Sequence, residues 1–198
     1  LKTVLRIFIL FLIIVSASQA QIFKLGEAKG MFMSIGVGPR FSLGDFADSR
    51  NIGVGGDVAI SYTDNQFLPV FFYASVGFSH FPGRQDYYRK TDLSSISTNM
   101  LIFQGGLRFY LPTLIDQFLI VMPVVDVGVS LAYFENLHQY KISTGKPDLV
   151  EEIGKPGFHI GGGFSMFILD VLAYYNYLHD NQYLSVDFRV RIPIYVNY

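Results

Sequence analysis

The residue types needed for hydrolysis or metal binding are sparse in this 198-residue chain: four histidines, no cysteine, and one serine–histidine neighbour pair, Ser79-His80. Transfer of an acyl group to water needs a serine, a histidine base and a carboxylate converging on one point. In an extended segment, neighbours point to opposite faces, so Ser79 and His80 cannot pair with each other. His80 would need a serine from a neighbouring segment, and nothing in the sequence selects one. His138, His159 and His179 show no metal-ligand spacing. The absence of cysteine excludes disulfides, thiolate catalysis, cysteine zinc sites and a lipidated N-terminal cysteine. No catalytic residue, metal ligand or cofactor is assigned, and the chain is read as a non-enzyme.

A second set of polar residues is more ordered. Arg40, Asp57, Arg108, Asp126, Asp187, Arg189 and Arg191 each fall on the polar side of a two-residue alternation. The clearest case is the C-terminal stretch 183–198. Leu184, Val186, Phe188, Val190, Ile192, Ile194, Val196 and Tyr198 alternate with Tyr183, Ser185, Asp187, Arg189, Arg191, Pro193, Tyr195 and Asn197. Period two describes a strand with one apolar face and one wet face. The stretch exceeds the usual soluble strand and is long enough to cross a bilayer at a tilt.

The same alternation predicts strands over 31–43, 52–62, 67–81, 96–110, 117–134, 157–168 and 171–179. With the last, these make eight. The connections alternate long (44–51, 82–95, 135–156) and short (63–66, 111–116, 169–170), and only 180–182 breaks the rule. That is an antiparallel up-and-down meander with its long loops at one end. An even strand count returns both termini to the other end. Hydrophobic residues make up 51% of the chain and charged ones 16%, well below the charge content of soluble domains. No stretch after the N-terminal region gives a helical span, so a transmembrane barrel is the expectation. In lipid every backbone polar group must be paired, so the sheet must close, the first strand on the last.

Glycines at 36, 38, 53, 55, 77, 106, 128, 161 and 163 share the charged face. They suggest a crowded lumen in which the arginines and aspartates pair as a network that fills the interior. A gate or selectivity filter is the alternative role for that network. Pro39, Pro123 and Pro193 lie inside strands, where each removes a ladder bond. Bulges near the rims would absorb Pro39 and Pro193; Pro123 has no evident accommodation. Phe41, Tyr62, Phe78, Phe109, Tyr133, Tyr177 and Tyr198 fall on the apolar face near strand ends, as interfacial girdles would.

At the N-terminus, Lys2 and Arg6 precede an apolar run and then Ser16-Ala17-Ser18-Gln19-Ala20. Residues 1–20 read as a secretory signal, 21–30 as a periplasmic lead-in and 31–198 as the barrel. Net charge is −1 with no basic tract, so nucleic-acid binding has no electrostatic support.

The signal segment, Gly105-Gly106-Leu107-Arg108-Phe109-Tyr110 and the strand ending Arg189–Tyr198 resemble the small eight-stranded outer-membrane barrels of the OmpA/OmpX type. They look closer still to the generic outer-membrane β-barrel family common in Bacteroidetes-like bacteria. The resemblance implies the outer membrane of a Gram-negative-type cell, with lipid and lipopolysaccharide around a monomer. It also implies that Ile192, Ile194, Val196 and Tyr198 form the insertion signal read by the barrel-assembly machinery. With no peptidoglycan-binding segment in the sequence up to Tyr198, a cell-wall tether is not expected. Some barrels of this size modify lipid A as deacylases or acyltransferases. The loops 82–95 and 135–156 are the candidate surface for an extracellular partner, and 135–156 alternatively extends a strand pair beyond the membrane. A soluble, lipocalin-like carrier of an apolar ligand would need the apolar face turned inward.

Overall fold

A computed structural model describes residues 28–64, 67–114 and 121–196. The chain is all-β: eight antiparallel strands, each bonded to its sequence neighbours, closed into one barrel by pairing of the first with the last. The strands are β1 (Ala28–Leu43), β2 (Gly53–Asp64), β3 (Val70–Pro82), β4 (Leu93–Tyr110), β5 (Val121–Tyr140), β6 (Leu149–Met166), β7 (Leu169–Leu178) and β8 (Asn181–Val196). Two short helices, α1 (Asp45–Ser49) and α2 (Gln85–Lys90), occupy long connections at one end, and a single 3-10 turn, Ile142–Thr144, lies between β5 and β6.

The alternation decides which way each side chain points. Val37, Val54, Val129, Phe158, Phe188 and Ile194 are more than half exposed or close to it on the outside. On β8, Val190 and Ile194 are 44% and 54% exposed, whereas Asp187 and Arg189 are 2% and 3%. The apolar faces therefore look outward and the charged faces inward, the reverse of a ligand carrier with a greasy cavity.

Several boundaries differ from the sequence reading. Ala28–Gly30 already belong to β1 rather than to a lead-in. The expected signal segment, 1–20, the lead-in up to residue 27, part of the expected fifth strand and Tyr198 lie outside the described residues. The expected loop 135–156 is largely strand: β5 runs on to Tyr140 and β6 starts at Leu149, in register from His138↔Leu149. Its mixture of polar and apolar residues is that of a ribbon exposed on both faces, which alternation alone does not separate from a loop. In the expected loop 82–95, α2 takes Gln85–Lys90 and β4 begins at Leu93. The short 169–170 turn moves to Phe167-Ile168, which places Leu169 and Asp170 in β7.

The prolines are accommodated locally. The β1–β8 pairing shifts register beside Pro193 and skips Pro39. Pro123 sits one residue past the last β4–β5 pair, Tyr110↔Val124, where the Leu111 N–H donates to its carbonyl at 2.9 Å. Its missing N–H therefore costs only a terminal rung.

Candidate functional site

The interior is layered from the loop end to the turn end. At the mouth, Arg50, 6% exposed, reaches in from the β1–β2 connection. Its Nε donates to Thr98 Oγ1 at 2.6 Å and its Nη2 to Asn136 Oδ1 at 3.2 Å. Burial lowers the pKa of this guanidinium, and the nearby Tyr88, Tyr87 and Glu151 oppose the shift.

Below it lies an apolar layer of Phe46, Phe81, Met100, Ile102, Ala132, Phe134, Leu178 and Tyr183. Phe46 is delivered by α1, and its ring meets Phe81 edge-on with centroids 5.0 Å apart. Met100 and Ile102, apolar interruptions on an otherwise polar face of β4, are that strand's contribution to the layer.

The charged belt comes next. Arg40 Nη1 is 2.6 Å from Asp187 Oδ1, and Arg189 Nη2 is 3.1 Å from Asp57 Oδ2 and 3.9 Å from Asp187 Oδ2. A second group lies toward the turn end. Arg108 donates from Nε and Nη2 to Asp126 at 2.9 and 2.8 Å. Its Nη1 is 3.6 Å from Asp170, whose other oxygen is 4.0 Å from Arg191 Nη2. Arg191 also donates to Ser165 Oγ at 2.9 Å and to the Tyr110 hydroxyl.

Tyr174 joins the two groups. Its hydroxyl accepts from Arg108 Nη2 at 3.0 Å and donates to Asp126 Oδ2 at 2.5 Å. The Arg189 guanidinium lies over its ring, 5.3 Å from the centroid. A polar chain runs alongside: Gln104 donates to Ser130 and Asn176, Ser130 meets His159 Nδ1 at 2.8 Å, and His159 Nε2 bonds the Tyr73 hydroxyl.

All seven expected lumen charges thus point inward, and each has an oppositely charged partner. The sequence reading missed an eighth. Asp170, fully buried, brings the aspartates to four against the four arginines Arg40, Arg108, Arg189 and Arg191. The face of Leu172, Tyr174 and Asn176 carries one period back to Asp170, so the signal was present once the turn is placed correctly. Glycine makes the belt possible at close range. A Cβ on Gly36 would lie 2.6 Å from Arg189 Cγ and 2.9 Å from Asp57 Oδ1. An enclosed cavity bounded by Arg40, Asp57, Gln104, Asn176, Asp187 and Arg189 measures about 10 Å³, at the lower limit for one water.

Toward the turn end, Val124, Leu172 and Tyr174 pack with Tyr110 into a second apolar group.

Ser79 and His80 lie on opposite faces. Ser79 is 2% exposed in the lumen, while His80 Nδ1 meets Asn99 Oδ1 at 2.8 Å and Asn99 donates to Glu135 at 3.1 Å. Two open clefts beside α1 and α2, of about 590 and 550 Å³, are lined by Arg50, Arg84, Gln85 and Asp86, and by Arg84, Tyr87, Arg89 and Lys90; neither contains a histidine. Among the described residues, no group of three or more histidines and carboxylates could hold a metal ion. Of the expected insertion signal, Ile192, Ile194 and Val196 are exposed on the outside of β8 at 44%, 54% and 39%.

This geometry defines the class of protein as a closed eight-stranded up-and-down barrel. Among solved structures it is similar to Neisserial surface protein A at TM-score 0.55, with 13% identity over 83% of this chain and 97% of that one. It is also similar to Ail, the attachment invasion locus protein of Yersinia pestis, in complex with the heparin analogue sucrose octasulfate. That match has TM-score 0.46 and 14% identity over 82% of this chain and 99% of Ail. At these identities the first likeness supports the fold and nothing finer. No protein-family model matches the chain, and no curated protein matches it.

Proposed function

We propose that this chain is an integral outer-membrane barrel of a Gram-negative-type bacterium. In this reading its lumen is filled by its own side chains, and its role is structural or interactional through the loop end. The observation that carries the reading is orientation: a band of exposed Val, Ile, Leu and Phe rings the outside while ion-paired charges fill the inside. Exposed to water, that band far exceeds the apolar patches soluble monomers show; in a bilayer it contacts hydrocarbon. Closure supports the same reading, because a sheet closed on itself leaves no unpaired strand edge within the hydrocarbon.

In this reading lipid and lipopolysaccharide surround a monomer. The outward row Ile192, Ile194 and Val196, together with the Tyr198 of the sequence alternation, is what the assembly machinery engages. In this reading the segments 82–95 and 135–156, with the strand ends they contain, face the outside of the cell. The finer likeness to OmpA/OmpX-type or Bacteroidetes-type barrels belongs to this proposal. The apolar layer around Phe46 and Phe81 supports a closed lumen.

The test is extraction of cell envelopes with detergent, followed by electrophoresis before and after heating. A folded barrel changes mobility on heating; a chain that stays in solution without detergent contradicts the membrane reading. Planar-bilayer recording tests the lumen, where steady large conductance would contradict a filled interior.

A further inference from the structure

We propose that the charged belt holds one water molecule at a defined site, bonded to Arg189, Asp57 and Asp187 and sealed from both ends of the barrel. The site goes beyond the outer-membrane reading and does not depend on it, because barrel closure alone brings these residues together.

Four atoms of the Arg40–Asp187–Arg189–Asp57 group have no hydrogen-bond partner in the protein: Arg189 Nε and Nη1, Asp57 Oδ2 and Asp187 Oδ1. The three residues are 3%, 8% and 2% exposed, so bulk water does not serve them. The two oxygens lie 3.1 Å from Arg189 Nη2 and 2.6 Å from Arg40 Nη1, yet neither receives an N–H in bonding geometry. Tyr174 stacks on Arg189 with its ring centroid 5.3 Å from the guanidinium carbon. That contact takes a flat face and leaves the N–H groups, which lie in the plane, unengaged. Buried polar groups are almost always bonded, to protein or to ordered water.

The space matches. All three residues line the enclosed cavity of about 10 Å³, which admits one water and nothing larger. Gly77 on β3 keeps it open, since a Cβ there would stand 3.0 Å from Asp57 Cβ and 3.3 Å from Ile102 Cγ2. Ile102 and Tyr183 line it from the apolar layer on the mouth side. Tyr174 lines it from the apolar group on the turn side. The cavity is thus shut off in both directions.

Charge identifies the occupant. Arg40 and Arg189 balance Asp57 and Asp187, so an ion of either sign would leave a net buried charge. Water fits as acceptor from Arg189 and donor to Asp57 Oδ2 and Asp187 Oδ1, the three bonds usual for an internal water. Gln104, Asn176 and Ser185 on the same wall bond one another, at 3.1 Å from Gln104 to Asn176 and 3.3 Å from Asn176 to Ser185.

The test uses the full chain folded in detergent micelles, with nitrogen-15 arginine side chains followed by NMR. Magnetisation transfer from water to the Arg189 Nε–H proton is recorded in the laboratory and rotating frames. A resident water gives cross-peaks of opposite sign in the two experiments, whereas proton exchange gives the same sign. Opposite signs are expected at Arg189, and no peak at Arg108, whose Nε–H is committed to Asp126. S79A and S185A, each removing a hydroxyl from the cavity wall, are expected to keep the Arg189 peak. Deuterium exchange at Arg189 Nε is expected to be about tenfold slower than at Arg50, which lines an open cleft.

Absence of the Arg189 peak overturns the proposal, because the four atoms must then bond within the protein. Loss of the peak in either serine variant assigns the transfer to a hydroxyl and overturns it too. Same-sign peaks, or exchange as fast as at Arg50, show a lumen open to solvent and remove the seal. A shift of the Arg189 resonance on replacing sodium chloride with caesium bromide assigns the cavity to an ion and equally overturns the proposal.

Discussion

Phe46 of α1 and Phe81 of β3 meet edge-on with ring centroids 5.0 Å apart inside the mouth of the barrel, although α1 belongs to a connection that would otherwise lie in solvent. The contact folds the β1–β2 connection inward, and Arg50 holds it there through Thr98 and Asn136.

Phe46→Ala is expected to destabilise the barrel by about 3 kcal/mol, the usual result of emptying a buried aromatic site. It should not open a pore, because Phe81, Met100, Phe134 and Leu178 remain across the section. Urea unfolding in micelles followed by far-ultraviolet circular dichroism measures the first effect and planar-bilayer recording the second. A conducting variant would mean that α1 alone closes the lumen.

Arg189→Met leaves Asp57 and Asp187 buried with only Arg40 between them. Removing one partner of a buried pair costs about 3–5 kcal/mol. The double change Arg189→Met with Asp57→Asn is expected to recover most of that loss, since neither buried charge is then stranded. The same unfolding assay checks both variants, and an unchanged midpoint for Arg189→Met would show that the belt is not energetically coupled.

On the outside, Val129 is 70% exposed and Ile142, at the loop tip, is fully exposed. Val129→Arg is expected to impair folding into lipid vesicles by about 2–4 kcal/mol, the cost of an arginine near the bilayer midplane. Ile142→Arg should have no measurable cost. Equal behaviour of the two variants would mean that water, not hydrocarbon, surrounds Val129.

Gly36→Leu puts a side chain where Arg189 Cγ and Asp57 Oδ1 already lie within 3 Å, and is expected to abolish folding into vesicles. Gly154→Ala, where nothing lies within 4 Å, is the matched control and should fold normally. The fraction of protein whose electrophoretic mobility changes on heating reports both.

The alternation made the barrel legible. Once Val190 and Arg189 are assigned to opposite faces, the inward charges, the glycine face and closure all follow from strand geometry. What stayed hidden depends on contacts between distant segments. Asp170 was lost because a two-residue shift of the turn moved it out of β7. Arg50 and Phe46 sit in a polar connection whose sequence gives no sign that it folds inward. The extension of β5 and β6 was obscured because a ribbon wet on both faces has no apolar stripe. Tyr174 falls on the alternation's inward face in β7, but its position between Arg189 and Asp126 depends on three strands meeting.

The placement of charge along the chain has a consequence for biogenesis. Arg40 and Asp57 lie near the beginning, while their counterparts Asp187 and Arg189 sit on β8, 132 residues beyond Asp57 in the case of Arg189. Until the seam between β1 and β8 zips shut, the leading hairpin carries Arg40 and Asp57 without the close ion pairs that β8 supplies. In the membrane reading proposed above, a chain lacking its final strand is expected not to enter lipid, so β8 would act as a checkpoint for the first hairpin.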